Sequence, residues 1–321
     1  MIESIVAEFK IDQRCIATAL GNAGGFGGSA IWKITADQNK FCLKRWPQTF
    51  QDSKRIEWIH RVLLFASGNG CPELVLPIES NSGATFLYRD NCFWELNRWV
   101  SGRPASQISL SESQIQSAVE FVARFHQATA RYHMNFAPSN NLNLIRNRLI
   151  ALETEIGEID KVIGKQHFIS SADWQAYKRF APDLAGDISK LFVLSCETPL
   201  PIQPVIRDIR DEHLYFDGPK LSSVIDFGAM WIDTVACDLS RLLGSFFSEQ
   251  AAKIHHALDH YSSIRQLNSI ERDIIMPMIH AGVILGITNW LNWLLIDERK
   301  FDNMDSVESR IQLLFDRFKN L

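Results

Sequence analysis

The alternation of hydrophobic and polar residues dominates the first hundred positions and predicts strands with one helix among them. Residues 30–35 and 41–46 both alternate, and the polar run Asp-Gln-Asn-Lys lies between them, so an antiparallel hairpin with a short loop is expected. A helix over 53–66 follows an aspartate N-cap and carries apolar residues every three or four positions. Two further strands are expected, at 84–88 and at 92–100.

After residue 100 the pattern changes to helical periodicity. The stretch 115–128 is amphipathic, and 142–194 has the pattern of two or three helices joined by polar turns. A short strand-loop-strand unit at 204–227 interrupts the helices. Because Ser-Gly-Arg-Pro at 101–104 breaks the strand pattern, we place a lobe boundary there. The expected organisation is a mixed α/β (α+β) chain with an N-terminal lobe, residues 1–100, and a helical C-terminal lobe, residues 101–321.

Composition narrows the class of protein. The 321 residues carry 33 basic and 37 acidic side chains, a formal net charge of −4, which gives no electrostatic reason to expect a nucleic acid partner. The six cysteines form no CxxC pair, and the N-terminus lacks the basic head and apolar run of a signal peptide. The apolar stretch 276–296 approaches the length of a membrane span, but its polar His280, Thr288 and Asn289 favour a buried helix. A cytoplasmic protein with reduced thiols and no membrane partner is expected.

A glycine-rich loop lies just before the first strand of the hairpin. Its glycines (Gly24, Gly25, Gly27 and Gly28) allow backbone N–H groups to approach phosphate oxygens without a Cβ in the way. The loop alone is equally compatible with a flexible turn between strands. A dinucleotide-binding fold requires a helix directly after such a loop, so the hairpin found here argues against a nicotinamide-dependent enzyme.

Lys44 lies on the strand that follows the glycine loop, in the sequence Phe-Cys-Leu-Lys-Arg-Trp. A phosphate-binding lobe of the kinase type needs a lysine on this strand and a helix glutamate that positions it. Glu57 on the 53–66 helix is the candidate glutamate, although an ordinary solvated position suits it almost as well.

Two aspartates further along the chain frame a short hairpin. Asp208 lies in Ile-Arg-Asp-Ile-Arg-Asp-Glu-His, and Asp226 lies in Ile-Asp-Phe-Gly, with a turn expected at Asp217-Gly218. In phosphoryl transfer one carboxylate orients the attacking hydroxyl and accepts its proton, while the other holds Mg²⁺. A polar residue, His213, follows Asp208 by five positions.

The order of these four motifs resembles that of the aminoglycoside phosphotransferase and choline kinase superfamily, from about Gly21 to Trp293. This resemblance implies a two-lobed protein-kinase-like fold that binds ATP with Mg²⁺, or Mn²⁺, in a cytoplasmic enzyme. It also implies transfer of the γ-phosphate to a small hydroxylated molecule. Amino sugars, amino alcohols such as choline, and homoserine are the acceptor classes that the family suggests.

By position, the resemblance implies a role for several residues. Asp208 matches the catalytic aspartate, Asp226 the metal-binding aspartate, and Asp238 an aspartate that braces the catalytic loop. The segment that contains Asn97 and Trp99 resembles the hinge that contacts adenine. His126 resembles a helical histidine of the family, for which core packing is the simpler interpretation.

The sequence also departs from the family pattern at the catalytic loop. Ile206 and Arg207 replace the usual His-Gly, and His213 replaces a metal-binding asparagine. Imidazole is a poor ligand for Mg²⁺, which prefers oxygen. An alternative register takes Asp211 as the base, but it places Phe216 at the asparagine position. The altered loop also leaves open a second function, that of a nucleotide-binding pseudokinase acting as a scaffold or regulator.

Overall fold

The structure is a computed structural model that describes residues 2–11, 15–21, 27–164 and 168–321. The chain divides into two compact units. The first, here called the sheet unit, comprises Met1–Ala128 and Glu212–Gly228. The second, here called the helical unit, comprises Thr129–Asp211 and Ala229–Leu321. The lobe boundary at residue 100 stays a prediction.

Strands predominate in the first hundred positions of the described chain and helices in the rest, as the periodicity predicts, while the N-terminal helix and the strand at residues 16–19 were not expected. The strands are β1 Ile16–Ala19, β2 Ala30–Ala36, β3 Asn39–Arg45, β4 Leu87–Arg89, β5 Cys92–Arg98, β6 Arg103–Pro104, β7 Asn135–Ala137, β8 Leu200–Val205, β9 Leu214–Asp217, β10 Lys220–Val224 and β11 Trp231–Asp233. The helices are α1 Ile2–Val6, α2 Ser53–Gly68, α3 Glu112–Tyr132, α4 Asn140–Val162, α5 Ser171–Glu197, α6 Ala236–Phe247, α7 Ala251–Ile264, α8 Ser269–Asp273, α9 Ile275–Leu291 and α10 Met304–Phe318.

An antiparallel sheet in the order β1-β2-β3-β5-β4 forms the body of the sheet unit. The predicted β2–β3 hairpin is present, and its tight turn places Asp37 at a φ of 49°. The predicted N-cap of α2 is present as well, because the Asp52 side chain accepts a hydrogen bond from the Arg55 backbone N–H at 3.0 Å. Strand β4 is shorter and later than the 84–88 expected from alternation.

One face of this sheet is covered by apolar side chains from α1 and from the strands themselves. Ile34, Leu43 and Leu96 are fully buried there, in neighbouring strands and against residues of the N-terminal helix. Because side chains alternate along a strand, the opposite face of β3 presents Cys42 and Lys44. The apolar core therefore fixes which face of the sheet carries the polar candidate residues.

A second, smaller sheet in the sheet unit has the order β10-β9-β6. Its β9–β10 hairpin turns at Gly218-Pro219, one residue later than expected, and Gly218 takes a φ of 61°. The segment after β10 carries Asp226. Backbone hydrogen bonds tie β10 to the residues after α2, from Val224 N–H to the Glu73 carbonyl at 2.8 Å and from Val75 N–H to the Val224 carbonyl at 3.2 Å.

The helical unit is built around α9. This helix packs against α4, α5, α6 and α10, and the buried Tyr177 hydroxyl of α5 donates to the Ile284 carbonyl at 2.8 Å. The segment 142–194, for which two or three helices were expected, consists of α4 and α5. A three-stranded sheet in the order β11-β8-β7 completes the unit.

The apolar stretch that includes α9 is the one helix in the described residues that is long and apolar enough to cross a membrane. In this structure 67% of its most apolar window is buried inside the protein. Ile279, Ile284 and Leu291 are all at least 97% buried. The stretch is therefore accommodated as a core helix, as its polar residues indicated.

All six cysteines are free. Burial raises the pKa of the Cys42 thiol to about 11, and burial raises the pKa of Cys237 well above its usual value. Both thiols stay protonated at neutral pH, and a protonated thiol is a poor nucleophile.

Gly102 provides a test of the close approach between the chain after β5 and the β9–β10 hairpin. It has a φ of 92°, and an added Cβ would overlap the Phe216 carbonyl, lying 2.9 Å from its carbon. We expect Gly102→Ala to lower the free energy of unfolding by about 3 kcal/mol, from backbone strain together with overlap. Denaturant-induced unfolding followed by circular dichroism measures this loss.

Gly83→Ala is the matched control for Gly102→Ala. Gly83 has a φ of 84° but would meet no atom within 4 Å, so its substitution introduces backbone strain alone, about 1 kcal/mol. Equal losses for the two variants would show that the approach to Phe216 is not a constraint.

Candidate active site

Lys44 of β3 meets Asp226 at the end of the β9–β10 hairpin. Its Nζ lies 3.3 Å from Asp226 Oδ1 and 4.7 Å above the centre of the Trp46 ring. Burial opposes the charge of Lys44, but the carboxylates of Asp226 and Glu95 outweigh it and raise the pKa of the lysine. The positive charge of Lys44 is in turn the main reason why the pKa of Asp226 falls to about 2. Both groups are charged at neutral pH.

A buried carboxylate, Glu95, lies directly across the sheet from Lys44 in the register of β3 and β5. It accepts hydrogen bonds from Trp46 Nε1 at 3.0 Å and from His60 Nε2 at 3.2 Å. Burial alone would raise the pKa of Glu95, yet the bond from His60 and the charge of Lys44 lower it overall. Glu95 is thus an ionised group held next to the lysine by fixed donors.

Glu57, the sequence candidate for the partner of Lys44, lies elsewhere. Its side chain is 58% exposed and forms its ion pair with Arg61, 3.8 Å away and one turn further along α2. His60 of α2 reaches the lysine's surroundings through Glu95. The positioning role of Glu57 stays a prediction, and the carboxylate that the structure places beside Lys44 is Glu95.

His213 is buried next to Asp226. Its Nε2 lies 3.8 Å from Asp226 Oδ2 and 3.8 Å from Glu212 Oε1. No group of three or more His, Cys, Asp or Glu side chains suited to hold an ion occurs among the residues that the structure describes. Asp226 and His213 can supply two ligands to an ion only if other oxygens, such as those of phosphates or water, complete the set.

The candidate nucleotide-binding loop is described in part. Gly24 and Gly25 lie outside the described residues. Gly28 has a φ of 78°, and an added Cβ at Gly27 would meet no atom within 4 Å. The left-handed backbone of Gly28 suits glycine, as expected of a loop whose backbone approaches a ligand.

The candidate hinge residues lie at the end of β5 and directly after it. The Trp99 backbone N–H donates to the Lys40 carbonyl at 2.9 Å, and the Lys33 ammonium lies 5.2 Å from the centre of the Trp99 ring. Asn97 pairs with Cys42 in the ladder, and its Nδ2 lies 3.4 Å from Glu95 Oε1. The adenine contact assigned to these two residues stays a prediction.

In the helical unit, the Asp238 side chain of α6 holds the loop that contains Asp208. Its two carboxylate oxygens accept the backbone N–H groups of Ile206 at 2.8 Å and Arg207 at 2.5 Å. This is the bracing contact that the resemblance implied. Arg207 has a φ of 68°, a left-handed conformation that the glycine usual at this position adopts without strain.

Two arginine side chains lie next to the Asp208 carboxylate. Arg241 Nη2 of α6 lies 2.5 Å from Oδ1, and Arg210 Nε lies 3.4 Å from the same oxygen. The Asp211 backbone N–H, by contrast, donates to Ser245 Oγ at 3.1 Å. Arg241 was not singled out in the sequence, although it follows Asp238 by one helical turn.

The sequence model of the phosphotransferase enzyme family, APH, matches residues 18–268. The chain belongs to this family. Two homoserine kinases are among its relatives. That of Xanthobacter autotrophicus is 26% identical over 250 residues, which cover 73% of this chain and 68% of that protein. That of Bradyrhizobium diazoefficiens is 24% identical over 244 residues, which cover 70% of this chain and 65% of that protein.

Solved structures of other phosphotransferases share the fold across nearly the whole chain. An aminoglycoside phosphotransferase from Alicyclobacillus acidocaldarius has a TM-score of 0.69 at 14% identity, with 99% of this chain and 92% of that chain covered. A microcompartment-associated aminopropanol kinase has a TM-score of 0.69 at 13% identity, with coverages of 99% and 94%. Spectinomycin phosphotransferase with ADP and spectinomycin has a TM-score of 0.68 at 11% identity, with coverages of 99% and 96%. These likenesses confirm the kinase-like α/β fold.

The competing positions of Glu95 and Glu57 can be tested by matched substitutions in this phosphotransferase-family protein. We expect Glu95→Gln to weaken binding of Mg·ATP about fivefold, because Lys44 loses a buried anionic neighbour worth about 1 kcal/mol. Titration calorimetry with a non-hydrolysable ATP analogue measures the change.

Glu57→Gln is the matched control, since it makes the same chemical change at an exposed position on the same unit. It is expected to leave the dissociation constant unchanged. A larger loss of affinity in Glu57→Gln than in Glu95→Gln would indicate that Glu57, and not Glu95, positions Lys44.

Proposed function

We propose that this protein is an ATP-dependent phosphotransferase that moves the γ-phosphate to a hydroxyl group of a small molecule in the cytoplasm. The observation that carries the proposal is the Lys44–Asp226 ion pair with His213 beside it, in a chain of the phosphotransferase enzyme family. A lysine that holds phosphates and an aspartate that holds a metal ion are the two charged groups that kinase-like sites need close together.

In this proposal Lys44 and the loop of Gly24, Gly25, Gly27 and Gly28 bind the phosphates of ATP. The segment of Asn97 and Trp99 borders the adenine. Removal of Lys44 is therefore expected to weaken phosphate placement, since an ammonium and backbone N–H groups together neutralise the polyphosphate.

Asp226 and His213 would hold Mg²⁺, or Mn²⁺, together with phosphate oxygens and water. The donor set fits: an ionised carboxylate and an imidazole nitrogen lie 3.8 Å apart, and the low pKa of Asp226 keeps it available as an anion. When bound, the ion neutralises charge that develops on the phosphates. The nitrogen donor favours an ion softer than Mg²⁺.

Asp208 is the proposed general base. It orients the acceptor hydroxyl and takes its proton as the acceptor oxygen forms a bond to the γ-phosphorus and the bond to the β-phosphate oxygen breaks, which releases ADP. The position of Asp208 on a loop fixed by Asp238 keeps this carboxylate in a defined place. The acceptor is a small alcohol, and the family offers an amino sugar, an amino alcohol or a homoserine-like molecule as candidates.

Replacement of Asp208 tests the catalytic assignment. Because a general base acts in the transition state, Asp208→Asn is expected to lower kcat by about 10²- to 10⁴-fold while ATP binding changes little. Steady-state kinetics with a panel of alcohols, together with calorimetry for ATP, separates the two effects.

Asp211→Asn is the control, and it tests the alternative register of the catalytic loop. An active wild type whose activity survives Asp208→Asn would contradict the assignment. Tight ATP binding by a wild type that phosphorylates no member of the panel would favour the pseudokinase function.

His213 provides a test of the metal ligands. We expect Mn²⁺ or Co²⁺ to support faster turnover than Mg²⁺, and we expect His213→Asn to shift the preference towards Mg²⁺. Spin-echo spectroscopy of bound Mn²⁺ should show a nitrogen coupling that the variant lacks. An unchanged coupling and an unchanged metal preference would place His213 outside the coordination sphere.

A further inference from the structure

The ion pair between Arg241 and Asp208 is not needed to hold the fold. Arg241 is 46% exposed and Asp208 is 32% exposed, and exposed ion pairs contribute about 0–1 kcal/mol to stability. Asp238, one turn earlier on α6, already fixes the loop through two backbone N–H groups. The pair can therefore be exchanged for a ligand at little cost to the fold.

Arg241 competes with the acceptor for Asp208. A substrate hydroxyl that donates its proton to Asp208 needs an open carboxylate oxygen, and Arg241 Nη2 lies 2.5 Å from Oδ1 while Arg210 Nε lies 3.4 Å from it. When a substrate displaces the guanidinium, Arg241 loses the Asp208 carboxylate as its partner. An acceptor with an anionic group avoids this cost. Its hydroxyl can donate a hydrogen bond to Asp208 while its anionic group pairs with Arg241.

We propose that the acceptor is a small hydroxylated carboxylic acid whose carboxylate binds Arg241. This rests on the proposed phosphotransferase function and names its substrate class. The planar guanidinium offers paired N–H donors that match a carboxylate in a bidentate manner. Arg241 reaches solvent along almost half of its surface, so a ligand can contact it without rearrangement of the core.

Matched acceptor pairs that differ by a carboxylate test the proposal. The pairs are L-homoserine with 3-amino-1-propanol, 4-hydroxybutyrate with 1-propanol, and D-glycerate with glycerol, each with the wild type, Arg241→Gln and Arg241→Lys. For pairs that react, we expect wild-type kcat/KM to favour the acid by about tenfold or more. In Arg241→Gln the ratio falls to about one through a higher KM for the acid, and Arg241→Lys restores part of it.

Arg272→Gln is the matched control variant. Arg272 Nη2 lies 2.6 Å from Asp259 Oδ1 in a comparable exposed pair of the same unit, so its loss reproduces the change in charge at a position outside the site. It is expected to leave the acid preference unchanged.

Three outcomes would overturn the inference. Transfer to the alcohols that equals or exceeds transfer to the acids overturns the substrate class and leaves the phosphotransferase function standing. If Arg241→Gln raises the KM for ATP and keeps the preference for acids, Arg241 binds the nucleotide and not the acceptor. Failure of the wild type to phosphorylate any of the six acceptors, despite ATP binding, counts against the proposed function as well.

Discussion

The ion pair between Lys44 and Asp226 is the interaction on which the sheet unit depends. The two residues are 182 positions apart in sequence, one on a central strand and the other after the β9–β10 hairpin. A buried ammonium is costly unless an anion meets it. Lys44 is only 15% exposed, and the hairpin supplies Asp226 as a second anion in addition to Glu95. The ion pair thereby joins residues 212–228 to the unit formed mainly by the first 128 residues.

Two residues with a left-handed backbone, Arg207 and Asp226, lie at the positions proposed for chemistry. Each costs about 1 kcal/mol or more relative to a relaxed backbone, and such strain persists only where the surroundings fix it. At Arg207 the Asp238 carboxylate fixes the loop, and at Asp226 the ion pair with Lys44 fixes the side chain. The contacts that position the two carboxylates therefore also hold the backbone in its strained conformation.

The sequence predicted the order of elements and the charged residues that a motif can reveal. Alternation predicted the β2–β3 hairpin, and the order of the four motifs that contain the glycines, Lys44, Asp208 and Asp226 indicated the family. Each of these signals is local in the chain. Glu95 could not be found in this way. Its importance comes from the register of β3 with β5 and from the reach of His60, neither of which leaves a periodic pattern. Arg241 was missed as well, although Asp238, one turn earlier on the same helix, had been assigned to the loop, because its ion pair with Asp208 leaves no motif of its own.

Asp238 and Arg241 lie one helical turn apart on α6 and contact the same loop in different ways. One binds the backbone and keeps the loop in place, and the other binds a side chain and faces outward. Because these contacts belong to separate residues, a substitution at position 241 changes what the Asp208 carboxylate meets without removing the two hydrogen bonds that hold the loop. The surroundings of the carboxylate and the conformation of its loop can therefore be altered independently of each other.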